Sequence, residues 1–455
     1  MSFSPLAFAK SHFVRPLAWA MMILPALFLF VMIQYSAILF PFWDHVELTL
    51  MFERFYNHQL QLADFFQPHN HARPVFYHLI YFFSGILTRW DIRAEYPYMI
   101  ATIHGGFVLL FLTFKKTLPP TNINLVLAGL AAMFYFSPTG HNNHWWSLMM
   151  MMNLAVTFVM AAFLILGRNP MSLKVAAGVV AFVFCSAFSV TNAIILLPIF
   201  SVVTLIANDF SSRAKKISAI YFAFFLILIA IYIPGLGPSG SPQGRPSLLE
   251  MFNFCALYIG VPLGNLLDFS FISNFDLPTN PRTTGINFVA GIFTGLVCVF
   301  LIYKNWCRRA SAAFQIAVAS ICFAFGSALM TAYGRANFDS YGIHNANASR
   351  YSVFSNFAIY GALILVALNW PFFRIRTKKI LAVSFAFFVL VAASAYRDSF
   401  RVYDSSRKFN HLLARVYNAN AAKTVEDQYV YPDPLITDSK RATMKNYKFG
   451  PYRYE

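Results

Sequence analysis

The chain has 455 residues, of which 58% are hydrophobic and 12% charged, where a soluble domain carries about 25% charge. Apolar runs near bilayer-crossing length recur from end to end, which excludes a soluble globular enzyme, and they are continuous rather than alternating, which argues against a β-barrel. The net charge of +17 does not point to nucleic acid, because most Lys and Arg fall in short gaps between apolar runs, where they set topology.

In chain order, eleven spans are predicted at roughly 17–40, 97–114, 122–138, 147–167, 172–189, 191–208, 217–235, 286–303, 310–332, 351–371 and 379–395. The first run reads as a true span, since no small-residue cleavage site follows it. Two further apolar segments, 73–89 and 251–267, are short and flanked by polar clusters, and read as interfacial or re-entrant helices. The five cysteines, Cys185, Cys255 and Cys307 among them, show no CxxC spacing, so neither a disulfide framework nor a thiol metal site is expected. The fold class is therefore all-α: a polytopic membrane helical bundle over 1–395, with an outer loop at 41–96 and a polar, basic tail or small cap at 396–455.

Charge divides the gaps into two sets. With both short segments left uncrossed, one set holds sixteen Lys and Arg, including Lys115, Lys216 and Lys379, and the other holds eight, all Arg. The positive-inside rule places the first set in the cytoplasm, with the N-terminus in and the C-terminus out. The acids are still more one-sided: Asp44, Glu47, Glu53, Asp64, Asp91, Glu95, Glu250, Asp268, Asp276 and Asp339 are outer, and Asp209 alone is inner. Acids contribute little to topology, so this bias points to a polar working surface on the outer face.

Four stretches carry the candidate chemistry. "FWDH" places Trp43 and Asp44 directly after the first span, where a carboxylate facing lipid is costly and one facing a cavity can act as a general base. Glu47 lies three residues on, on the same face if the helix continues, and a solvated helix end is the plainer alternative for both. "HNHAR" gathers His69, Asn70, His71 and Arg73: the H-x-H pair could bind a divalent metal, and Arg73 could hold a phosphate. "HNNHWW" holds His141, Asn143, His144 and Trp145, and its Trp pair reads as an interface anchor or as a stacking surface for sugar or isoprenoid. In "YGRANFDSYGIHNANASRYS", Arg335 and Arg350 stand at the ends of adjacent spans, with Tyr351 beside the second, where two guanidiniums suit a lipid phosphate.

These motifs, in this order and on one side, resemble the GT-C class of membrane glycosyltransferases, and more narrowly bacterial O-antigen-modifying glucosyltransferases. The resemblance runs through Trp43-Asp44, "HNHAR" at 69–73, "HNNHWW" at 141–146, Gly334-Arg335 and "SRY" at 349–351, up to about residue 395. The chain departs from it at Asn70-His71-Ala72, where an acid is expected. The resemblance implies an inverting transfer, on the outer face of a bacterial inner membrane, from a polyprenyl-phosphate-linked sugar donor to an envelope glycan or lipid-linked acceptor. Asp44 or Glu47 would be the catalytic carboxylate, membrane lipids the surroundings, and no cofactor is implied. An O-antigen polymerase or ligase, and a flippase or other transporter, are the alternatives; a repeat or a mid-span charge would favour the transporter, and the sequence has neither.

Overall fold

The computed structural model describes residues 13–69, 72–234, 244–267, 281–337, 342–375, 400–418 and 434–452, with a few positions between 378 and 396. Asn70, His71, Asp268, Asp276, Asp339 and most of the predicted span 379–395 lie outside the described residues. Among those described, every regular element is helical. In chain order these are α1 (Val14–Ser36), α2 (Asp44–Glu47), α3 (Thr49–Tyr56), α4 (Val75–Thr88), α5 (Tyr96–Thr117), α6 (Asn122–Tyr135), α7 (Asn142–Trp145), α8 (Met150–Leu166) and α9 (Leu173–Ala187). They continue as α10 (Leu196–Ala207), α11 (Ser212–Tyr232), α12 (Leu248–Leu267), α13 (Pro281–Asn305), α14 (Ala312–Arg335), α15 (Ser352–Asn369), α16 (Phe400–Asn418) and α17 (Pro434–Asn446).

Eight helical segments among the described residues are long and apolar enough to cross a membrane. Of the eleven predicted spans, 379–395 lies mostly outside the described residues, and 172–189 and 191–208 form helices that turns shorten: α9 has 15 residues, about 22 Å at the helical rise, below a hydrocarbon core of about 30 Å. Thr191–Ala207 and Val75–Thr88 are likewise shorter apolar helices. Several starts follow from local chemistry. Thr121, Ser211 and Ser311 each accept, through the side-chain hydroxyl, a backbone N–H three residues on, satisfying a donor that the first helical turn leaves orphaned. Ser247 and Glu250 close a reciprocal capping box at α12.

Neighbouring helices show how the bundle is ordered. Arg15 donates to Asn122 at 3.0 Å and Gly129 lies against Met21, so α1 and α6 run parallel. Asn287, Cys298 and Asn305 on α13 meet Asn347, Ala358 and Leu365 at a constant interval of 60 residues, so α13 and α15 are parallel too. Glycines bring α12 and α13 to backbone contact: a Cβ on Gly260 would stand 1.7 Å from the Asn287 carbonyl oxygen, and one on Gly291 1.8 Å from that of Ala256. Close approach through small residues is how membrane helices gain dispersion contact without a hydrophobic driving force.

The described members of the two charge sets fall at opposite ends of this bundle. At one end Arg309 pairs with Asp209 at 2.8 Å and Arg308 donates to the Leu368 carbonyl. At the other lie Asp44, His69, Arg73, the 141–147 segment and the connection from α14 to α15. The Asp44 end also receives α12, whose Glu250 meets Asn337, Tyr258 stacks on Tyr351, and Asn265 accepts from Asn287. The C-terminal helices α16 and α17 pack here as well. Tyr417 donates to the Pro41 carbonyl at 2.8 Å, Tyr447 to Asn57 at 2.7 Å, and the Gly450 amide to the Arg89 carbonyl at 2.8 Å.

Candidate functional site

The segment after α1 is fixed from three directions before it reaches Asp44. The Ile38 amide donates to the Trp145 carbonyl at 2.9 Å, and the Tyr96 hydroxyl donates to the Ile38 carbonyl at 2.8 Å. Asn410 of α16 accepts from the Leu39 amide and donates to the Ala37 carbonyl. Trp43 then takes φ = 49°, a backbone region that bulky L-residues rarely occupy. That turn starts α2 at Asp44.

Asp44 and Glu47 do share a face, and His69 lies between them. His69 Nε2 is 3.1 Å from Asp44 Oδ2, and its Nδ1 is 3.9 Å from Glu47 Oε2. The imidazole is buried at 7% exposure while the two carboxylates are 35% and 46% exposed, so the acids stay within reach of solvent and their holder does not. His69 is itself locked by paired backbone hydrogen bonds with Ala72. The Asp44 contact is within hydrogen-bond distance, whereas Glu47 stands beyond it.

His45, next to Asp44, turns the other way into a buried cluster that the sequence did not announce. Its Nε2 lies 3.1 Å from the Tyr77 hydroxyl and 3.4 Å from Glu95 Oε2, and Trp90 Nε1 donates to Glu95 Oε1 at 3.1 Å. His45 and Glu95 are both buried. Buried ionisable groups need partners, and here they tie α2 to α4 and to the start of α5. The only sequence signal was an acid and a histidine within the same outer loop.

Arg73 has another occupation than the one the sequence suggested. Its guanidinium donates to the backbone carbonyls of Phe66 at 2.7 Å, Tyr232 at 3.4 Å and Pro234, and its amide donates to the Tyr232 hydroxyl at 2.8 Å. These include the last carbonyl of α11, that of Tyr232, which a helix leaves without a partner and which a cation satisfies well. Arg73 therefore clamps the "HNHAR" loop to α11. It also borders an open groove of about 530 Å³ formed with Leu62, Phe66, Gln67 and Pro234.

The "HNNHWW" segment is a buried node. Trp145 and Trp146 are 3% and 7% exposed, so the pair is not a lipid-facing anchor. The Trp145 ring N–H donates to Asn142, and its carbonyl accepts the Ile38 amide and shares the Tyr96 hydroxyl with the Ile38 carbonyl. Asn143 donates to the Ser349 carbonyl at 3.2 Å, joining α7 to the start of α15. His141 packs edge-on to Trp145 at 4.7 Å, and both His141 and His144 border a small space of about 10 Å³ beside Met32 and Ser36. Burial pushes the His141 pKa down to about 4 and that of His144 to about 3, so both rings are neutral at pH 7. Phe42 touches both Trp43 and Trp146, so an aromatic wall joins this node to Asp44.

Arg335 and Arg350 bound the connection from α14 to α15. The Arg335 carbonyl accepts from Asn345, and the Arg350 guanidinium lies 5.3 Å from the centre of the Tyr351 ring. Both arginines are half-buried. Among the described residues, no group of three or more His, Cys, Asp or Glu is placed to hold a metal.

Composition and helices together define a multi-pass helical membrane protein. Compared with known proteins, the chain matches no family model, no curated protein and no solved structure.

Proposed function

We propose that this protein is an inverting glycosyltransferase of the GT-C type, taking a sugar from a polyprenyl-phosphate carrier. One observation supports this reading above the others: Asp44, held by the buried His69 with Glu47 close by, is partly open to solvent at one end of an apolar bundle. A general base for an acceptor hydroxyl must be fixed in direction and still reachable, and Asp44 meets both conditions.

In the reaction, the acceptor hydroxyl gives its proton to Asp44 as its oxygen attacks the anomeric carbon. The bond from that carbon to the carrier phosphate oxygen breaks, and the electron pair leaves on the lipid phosphate. Arg335 and Arg350 stabilise that developing charge; Arg73, whose donors serve backbone carbonyls, does not take part. A donor that arrives in the membrane removes the need for a nucleotide-binding domain. The acceptor is an envelope glycan or lipid-linked saccharide, and the Asp44 end faces outward from a bacterial inner membrane, the N-terminus remaining cytoplasmic.

The test offers the purified protein a panel of polyprenyl-phosphate sugars with lipid-linked acceptors and reads transfer by mass spectrometry. Transfer from at least one carrier is expected. Carrier movement across a vesicle bilayer without transfer would replace this reading with the transporter.

A further inference from the structure

The C-terminal helices place positive charge where a multi-pass protein usually has little. Residues 400–418 and 434–452 hold eight Lys and Arg against two acids, at the end of the bundle that otherwise collects acids. The spatial order along α16 says what this charge meets. Phe400, 58% exposed, packs on Phe28 of α1; Asn410 binds Ala37 and Leu39; Tyr417 reaches Pro41. α16 thus climbs alongside the last turns of α1 and the segment beyond it. Over this stretch α1 shows lipid-type side chains outward, Phe30 and Val31, followed by the exposed aromatics Tyr35 and Trp43. Exposed aromatics after an apolar band mark the membrane–water boundary.

At that level α16 has two distinct faces. Ser406, Phe409, Leu413 and Val416 are buried against the bundle, whereas Arg407, Lys408, His411 and Arg415 are exposed. Arg407, His411 and Arg415 recur every four residues, so they form a single stripe along the helix. The stripe begins about two turns beyond exposed Phe400, the distance over which a bilayer passes from acyl chains to headgroup phosphates.

We infer that this stripe is a binding surface for the phosphates of anionic phospholipids in the leaflet at the Asp44 end. A free phosphate offers the same charge, but the stripe follows the membrane boundary, so the lipid is the occupant. Basic residues near a membrane surface each contribute roughly 1 kcal/mol, or about fivefold in affinity. The consequence is that anionic lipid holds α16, and through Asn410 and Tyr417 the segment leading to Asp44. The inference does not depend on the glycosyl-transfer reading.

The experiment uses the full chain purified in detergent. Phosphatidylglycerol or phosphatidylcholine is titrated in, and binding is read by native mass spectrometry together with the thermal unfolding midpoint. Phosphatidylglycerol is expected to bind and raise the midpoint, and phosphatidylcholine to do so far less. The triple variant Arg407→Gln, Lys408→Gln, Arg415→Gln should bind phosphatidylglycerol on the order of 100-fold more weakly. These positions are exposed, and a lipid-free midpoint equal to wild type confirms folding; the single variant Arg407→Gln serves if the triple falls short. An undiminished phosphatidylglycerol effect in the variant overturns the inference. So does equal binding of both lipids, or equal binding of soluble glycerophosphoglycerol, which would assign the stripe to free phosphate.

Discussion

His69 Nε2 lies 3.1 Å from Asp44 Oδ2, and the ring that makes this contact is buried while the carboxylate is not. Two motifs 25 residues apart in the chain thereby become one unit. If the unit orients Asp44 toward an acceptor, His69→Ala should lower turnover by roughly 10–100-fold, the scale on which small misplacements act. His69→Gln, which retains a side-chain N–H, should recover part of the loss. Comparison of kcat and KM for the two variants checks this: the effect belongs in kcat.

Arg73 should be a stability residue. Arg73→Ala strips donors from three backbone carbonyls around the end of α11 and should cost on the order of 2 kcal/mol. Arg73→Lys keeps the charge but not the planar fork, and should fall between. Thermal unfolding of the purified variants measures the loss, and donor KM in the folded fraction should stay near wild type.

Stability should fall in mild acid through His141 and His144. Their folded pKa values, about 4 and about 3, lie below the ordinary 6.5. The unfolded chain therefore binds more protons between these values, and stability drops as pH falls from 6.5 toward 3. Unfolding midpoints recorded from pH 7 to pH 4 should decline less steeply in His141→Gln, His144→Gln than in wild type.

The contact between α12 and α13 gives a packing test with internal controls. Gly260→Ala and Gly291→Ala force a methyl group into a backbone carbonyl and should destabilise by about 3 kcal/mol or more, beyond ordinary overpacking. Gly285→Ala and Gly334→Ala meet nothing within 4 Å and should be neutral or slightly stabilising. Expression yield and unfolding midpoints in detergent separate the two pairs.

The sequence showed what hydropathy and charge encode. The gap charges separate as the sequence implied, with Asp209 at one end and Asp44 at the other, because Lys, Arg and acids are confined to the gaps between apolar runs. Asp44 and Glu47 on one face followed from helical spacing alone. The clamp made by Arg73 was not legible because its partners, Phe66, Tyr232 and Pro234, are carbonyls, which every residue carries and no motif advertises. The pairing of His45 with Glu95 was hidden for a related reason: burial depends on how α2, α4 and α5 pack, and a loop acid looks solvated in sequence. Trp145 and Trp146 failed as an anchor because an aromatic pair at a span start suits a lipid boundary and a buried node equally. Packing by Ile38, Tyr96 and Phe42 selects the second.

The central claim is that Asp44 accepts a proton during sugar transfer. Asp44→Asn keeps the size of the side chain and its contact with His69 while removing the base. The decisive measurement is single-turnover transfer from a polyprenyl-phosphate sugar by folded Asp44→Asn and Glu47→Gln protein, side by side with wild type. A fall of roughly 10²–10⁴ is expected for Asp44→Asn, the usual contribution of a positioned acid–base group, with a milder loss for Glu47→Gln. Near-normal transfer by Asp44→Asn with loss in Glu47→Gln would give the role to Glu47, and normal transfer by both would contradict the account.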